Sequence, residues 1–211
     1  MSEPYSAMAQ FRISPAALGS YLEAPARAAS GWPDWAGMCG RRDVTGEQGG
    51  LPFSLHGEMD FGSVDRWLST GDYRSQLRDI LGTAEVPSLA RFDYGEDGLV
   101  TIVNLTVAAE RFRSPLWFLA AIRAVADYVD GPGGLAVIRN SIWGAPGAKY
   151  TLAVLRLEPG GSRFLHSGDD AYSDAVRQAE AAFDSIGLTK NGPPPGDGEA
   201  LANLDRFRPA P

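Results

Sequence analysis

SLARFDYGEDGLVTIVNLTV, residues 88–107, reads as two extended runs joined by a tight turn. Gly95, Glu96, Asp97 and Gly98 supply the turn chemistry, and aromatic and β-branched residues fill the flanking runs. In the second run Leu99, Val103, Leu105 and Val107 fall on one face and Val100 and Ile102 on the other. A strand apolar on both faces belongs inside a sheet. A turn this short joins only antiparallel neighbours.

Downstream, Ser114 and Pro115 place a capping oxygen and a first-turn proline ahead of Phe118, Ile122, Val125 and Val129, which recur at helical spacing until Gly131. A second hairpin follows: GLAVIRNSIW, a turn around Gly144 to Gly147, then KYTLAVLRL. A last helix runs from about Asp170 to Gly187, with Tyr172, Val176, Ala179, Phe183 and Ile186 on one stripe.

Upstream, Ser14 and Pro15 open a short helix ending near Pro25. Leu55 to Phe61 suits a short strand, and Ser63 starts a helical pattern that reaches Leu81 and breaks at Gly71. The pattern predicts an α+β fold: a mainly antiparallel sheet built from two hairpins, with helices packed on one face. We divide the chain into an N-terminal segment with a short helix (1–28), a single domain (29–190) that includes a long loop at 29–53, and a Pro/Gly-rich mobile tail (191–211).

The net charge of −7 comes with no block of Lys or Arg, which argues against nucleic acid as a partner, since that affinity rests on clustered cations. It suits a basic partner instead. Cys39 is the only cysteine, so the chain forms no internal disulfide and no four-thiolate zinc site. The N-terminus lacks the features of a signal peptide, and no apolar run is long enough to span a membrane. These features predict a cytoplasmic protein.

Chemistry-bearing residues are sparse. His56-Gly57-Glu58 has the H-x-D/E form, and His166 completes a two-histidine, one-carboxylate set of the kind that holds ferrous iron. In this the chain resembles the iron- and 2-oxoglutarate-dependent oxygenases, and the resemblance implies a co-substrate arginine for which Arg177 is nearest. Those enzymes carry their iron in a jelly roll, whereas here a helix follows His166. His166, Asp169 and Asp170 also read as a helix start, with Ser167 or Asp169 capping backbone N–H groups. No G-x-S-x-G elbow, phosphate loop or dinucleotide fingerprint is present, so the sequence implies no cofactor.

Glu110 to Arg113 reads as a solvated connector. Trp32, Asp34 and Trp35 place two large aromatics and a carboxylate in the long loop, the composition of a binding hot spot or of a cover for the core edge. With Glu96 and Asp97, they are the expected partner-binding residues. The order of elements resembles that of small acidic secretion chaperones. The expectation is a non-enzymatic protein that occludes or escorts a protein partner, above all an immunity-type inhibitor of a basic toxin, with a secretion chaperone or a His56/Glu58/His166 iron enzyme as alternatives.

Overall fold

The computed structural model describes residues 5–39, 60–82, 89–107, 113–129, 131, 133–140, 151–185 and 198–207. Its strands are β1 (Tyr5–Arg12), β2 (Ala90–Tyr94), β3 (Leu99–Val107), β4 (Gly134–Asn140), β5 (Thr151–Glu158) and β6 (Gly161–Phe164). They form one sheet in the order β2-β3-β1-β4-β5-β6, antiparallel throughout. The helices are α1 (Pro15–Glu23), α2 (Phe61–Leu68), α3 (Tyr73–Gly82), α4 (Arg113–Arg123), α5 (Asp170–Ser185) and α6 (Glu199–Asp205). The expected single α+β domain with an antiparallel sheet is what the chain forms.

Alternation along the strands sorts the core into two layers. Ala7, Ala9, Phe11, Ile102, Ala136, Ile138 and Leu155 face one layer with Leu18 of α1, Leu77 of α3, Phe118 of α4 and Leu204 of α6. Met8, Val103, Leu135, Val137 and Val154 face the other, under Tyr172, Val176, Ala179 and Phe183 of α5. The expectation of helices on one face therefore holds for five of them, and α5 covers the opposite face. A strand between two helical layers is apolar on both sides, which is the pattern of β3.

Strand β1 is absent from the sequence reading, yet it lies between β3 and β4. Its register runs from Tyr5 opposite Val107 and Asn140 to Phe11 opposite Val100 and Gly134. The β2 and β3 strands pair across the 95–98 turn, where Gly98 takes φ +75° and the Gly95 N–H donates to the Leu99 carbonyl at 2.8 Å. The turn expected at Gly144 to Gly147 between β4 and β5 lies outside the described residues. At the start of β4 the backbone approach is closest: a Cβ on Gly133 (φ +76°) would sit 1.8 Å from the Leu157 carbonyl oxygen.

Ser14 caps α1 as expected, accepting the Ala17 N–H at 3.2 Å. Of the strand expected at Leu55 to Phe61, residues 55–59 lie outside the described residues, and its end is corrected because Phe61 opens α2. Asp60 caps that helix: Oδ1 accepts the Ser63 N–H at 2.9 Å, and Oδ2 accepts the Ser63 hydroxyl at 2.7 Å and Arg113 Nη2 at 2.6 Å. Residues 198–207, assigned by composition to a mobile tail, instead form α6 and pack on β2. Arg74 donates to the Leu204 and Phe207 carbonyls, and Phe207 packs on Tyr94 with ring centroids 5.0 Å apart.

Candidate functional site

Residues 29–39, the described part of the loop expected at 29–53, do not run free over the surface. Two turns of 3-10 helix, Ala29–Gly31 and Trp35–Cys39, carry them along the edge of the core. Trp35 is buried, with its indole N–H donating to the Ala29 carbonyl at 2.8 Å. Its ring lies against Phe61 and Phe164 at centroid distances of 5.9 and 5.8 Å. Trp32 is half-buried and meets Trp35 edge-on at 6.4 Å.

Arg123 holds these residues together. It ends α4 with only 3% of its surface exposed. Nη2 donates to Asp34 Oδ1 at 2.5 Å and Nε to the Ser162 hydroxyl at 3.0 Å. Nη1 has no hydrogen-bond partner among the described residues. The guanidinium carbon lies 4.8 Å from the Trp35 ring centroid and 5.3 Å from those of Trp32 and Phe164, so π faces surround what no oxygen contacts. Burial pushes this guanidinium below its ordinary value, and the hydrogen bond and charge of Asp34 act in the opposite direction.

Above the buried arginine is an open cleft of about 290 Å³, lined by Arg27, Trp32, Asp34, Asp127 and Gly160 among others. Its floor is fixed by the Gly160 N–H donating to the Ala126 carbonyl at 2.7 Å. Behind it stand three tyrosines. Tyr21 stacks on Tyr73 at 4.8 Å and meets Tyr128 edge-on at 5.7 Å, and its hydroxyl donates to the Ala121 carbonyl at 2.9 Å. Burial raises Tyr21 well above 10.0 and raises Tyr73 as well. The Tyr73 hydroxyl accepts the Arg27 backbone N–H at 2.8 Å, which ties the cluster to the cleft wall.

Of the five expected partner-binding residues, Trp32, Asp34 and Trp35 converge here, with Trp35 serving as a core cover. Glu96 and Asp97 do not join them. They lie at the same end of the sheet, but β3 and β6 are four strand spacings apart, roughly 19 Å. Asp97 is tied into its own turn: Arg12 Nη1 reaches Oδ2 at 2.6 Å and the Leu99 N–H reaches Oδ1 at 3.2 Å. The Arg12 hydrogen bond is the main cause holding its carboxyl below the usual range.

His166 is exposed, and its backbone N–H donates to Asp169 Oδ2 at 2.6 Å. Asp169 thus closes the turn that leads into α5, for which Ser167 or Asp169 is the expected cap. Among the described residues no three His, Cys, Asp or Glu side chains converge as metal ligands. His56 and Glu58 lie outside the described residues, as do Glu110, Arg111 and Phe112. Arg113 starts α4 and pairs with Asp60. Arg177 is exposed and pairs with Asp174.

Sequence reasoning missed Arg123, although a signal was present: it is the one charged residue in SPLWFLAAIRAVA, residues 114–126. A cation inside an all-apolar helical run must find a buried counter-charge. No family model, curated protein or solved structure matches this chain. No helix among the described residues is long and apolar enough to cross a membrane.

Proposed function

We propose that this chain is a cytoplasmic binding protein that occludes a protein partner, in the manner of an immunity protein neutralising a basic toxin. The observation that supports the reading is a loop whose side chains are held in place by the chain itself. Arg123 pins Asp34, and the buried Trp35 pins the backbone around it. Half-buried Trp32 and an Asp34 side chain 40% exposed are left at the mouth of a cleft. Holding side chains in place removes an ordering cost of about 0.5–1.5 kcal/mol for each one that binding would otherwise immobilise. Tryptophan anchors of this kind dominate protein interfaces. The net charge of −7 steers a basic partner to the surface.

Affinity purification of the tagged chain from its native host at low salt tests this. A basic protein is expected at near-stoichiometric level, lost from Trp32→Ala when that variant melts as a folded protein. Recovery of the wild-type chain alone overturns the reading.

A further inference from the structure

Resting on that binding reading, we propose that the cleft between Trp32 and Asp127 seats a cationic side chain of the partner, an arginine or lysine, and that Arg27 occupies this seat in the unbound protein. Four charged side chains line the cleft: Arg27, Asp34, Arg123 and Asp127. Arg123 is out of reach, being 3% exposed and already paired with Asp34. What a ligand can reach is a half-exposed Asp34, an exposed Asp127, an exposed Arg27 and the half-buried ring of Trp32.

Asp127 pairs with no cation among the described residues. With Arg27 set aside, the accessible surface is therefore two carboxylates beside an electron-rich indole face, and that combination selects a cation over an anion. Arg27 itself demonstrates the fit. Its guanidinium carbon lies 4.7 Å from the Trp32 ring centroid, while its one side-chain hydrogen bond among the described residues runs from Nη2 to the Gly31 carbonyl at 2.7 Å. An exposed arginine tethered by a single backbone contact is readily displaced by a partner's side chain. The incoming cation would keep the ring contact and gain Asp127.

The test follows the Trp32 indole N–H by NMR, assigned by its loss in Trp32→Phe, during titration with N-acetyl-arginine amide and with its neutral isostere N-acetyl-citrulline amide. The arginine compound is expected to give a saturable shift, with citrulline about tenfold weaker or worse, as befits loss of one charge-assisted contact. Asp127→Asn should weaken arginine binding about tenfold on the same grounds. Arg27→Gln should strengthen it several-fold, because the resident competitor is gone.

A purely structural role for Arg27 does not predict that gain. No saturable shift, equal binding of arginine and citrulline, or weaker binding in Arg27→Gln overturns the proposal. If a partner is recovered from the host while arginine and citrulline bind alike, this inference falls and the binding reading stands. If arginine binds selectively but the chain is recovered alone, the seat stands and the protein-partner reading falls.

Discussion

Truncating Asp34 should damage this protein more than removing the arginine it neutralises. In Asp34→Ala the guanidinium of Arg123 stays 3% exposed but keeps only Ser162 and three rings. Removing one partner of a buried pair costs about 3–5 kcal/mol, and the partial exposure of Asp34 lowers that to about 2–3 kcal/mol here. Arg123→Met removes the desolvated cation instead. Its stem is replaced by an apolar chain, Asp34 turns to water, and the cost stays below about 1.5 kcal/mol. With the arginine gone, Asp34 has nothing left to hold. The double variant should therefore resemble Arg123→Met, so a second substitution restores stability lost to the first. Urea unfolding followed by far-UV circular dichroism, with an unchanged slope, gives the three values. For a chain of 211 residues the Asp34→Ala loss corresponds to roughly 5–10 °C in Tm. If Arg123→Met is the more damaging single change, or the double variant is worse than Asp34→Ala, the argument from the buried charge is wrong.

Gly133→Ala should cost more than about 2 kcal/mol or prevent folding, because a Cβ 1.8 Å from the Leu157 oxygen moves backbone and the positive φ adds strain; a soluble variant with wild-type urea midpoint refutes it. Asp60 is held below its ordinary 3.8, chiefly by the Ser63 hydroxyl, so its stabilisation is present above that value and lost as pH falls through the lower folded-state one; Asp60→Asn should flatten the acid limb of stability against pH. Tyr21 is raised above 10.0, so its contribution is complete below that pH and lost as pH climbs past it toward the folded-state value. Tyr21→Phe should lose about 1 kcal/mol at neutral pH, the yield of one hydrogen bond, and unfold less steeply in alkali by circular dichroism.

What was legible in the sequence follows from how each element buries its surface. β3, β4, β5, α4 and α5 carry bulky apolar residues at a clear period, and the structure starts each of them within a few residues of the expected place, although α4 begins at Arg113, ahead of the expected Ser114 cap, and gives way at Ala124 to a 3-10 turn, short of the expected stop at Gly131. β1 escaped because YSAMAQFR is buried on both faces with small and ambivalent side chains, which erases alternation. β6 has four residues, too few for a period, and α6 hides its two buried positions, Ala200 and Leu204, behind a proline-rich spacer. The loop aromatics were legible as a group because Trp32 and Trp35 sit close in sequence. Their organiser was not, because Arg123, Ser162 and Phe164 come from elements 88 or more residues downstream of Trp35, and no local pattern joins them to it.

The position of β1 sets the order in which the molecule can be assembled. Tyr5 meets Val107 on one side and Asn140 on the other, so the two seams of the middle strand close over separations of 87–102 and 123–135 residues. Contacts of such range make folding slow, since loop entropy is lost before any pairing rewards it. On the ribosome, the strand that joins the β2-β3 half to the β4-β5-β6 half waits unpaired until β3 has been made, and its second edge stays open until β4 follows. During that interval its apolar faces are open to a chaperone, or to the same strand of a neighbouring chain.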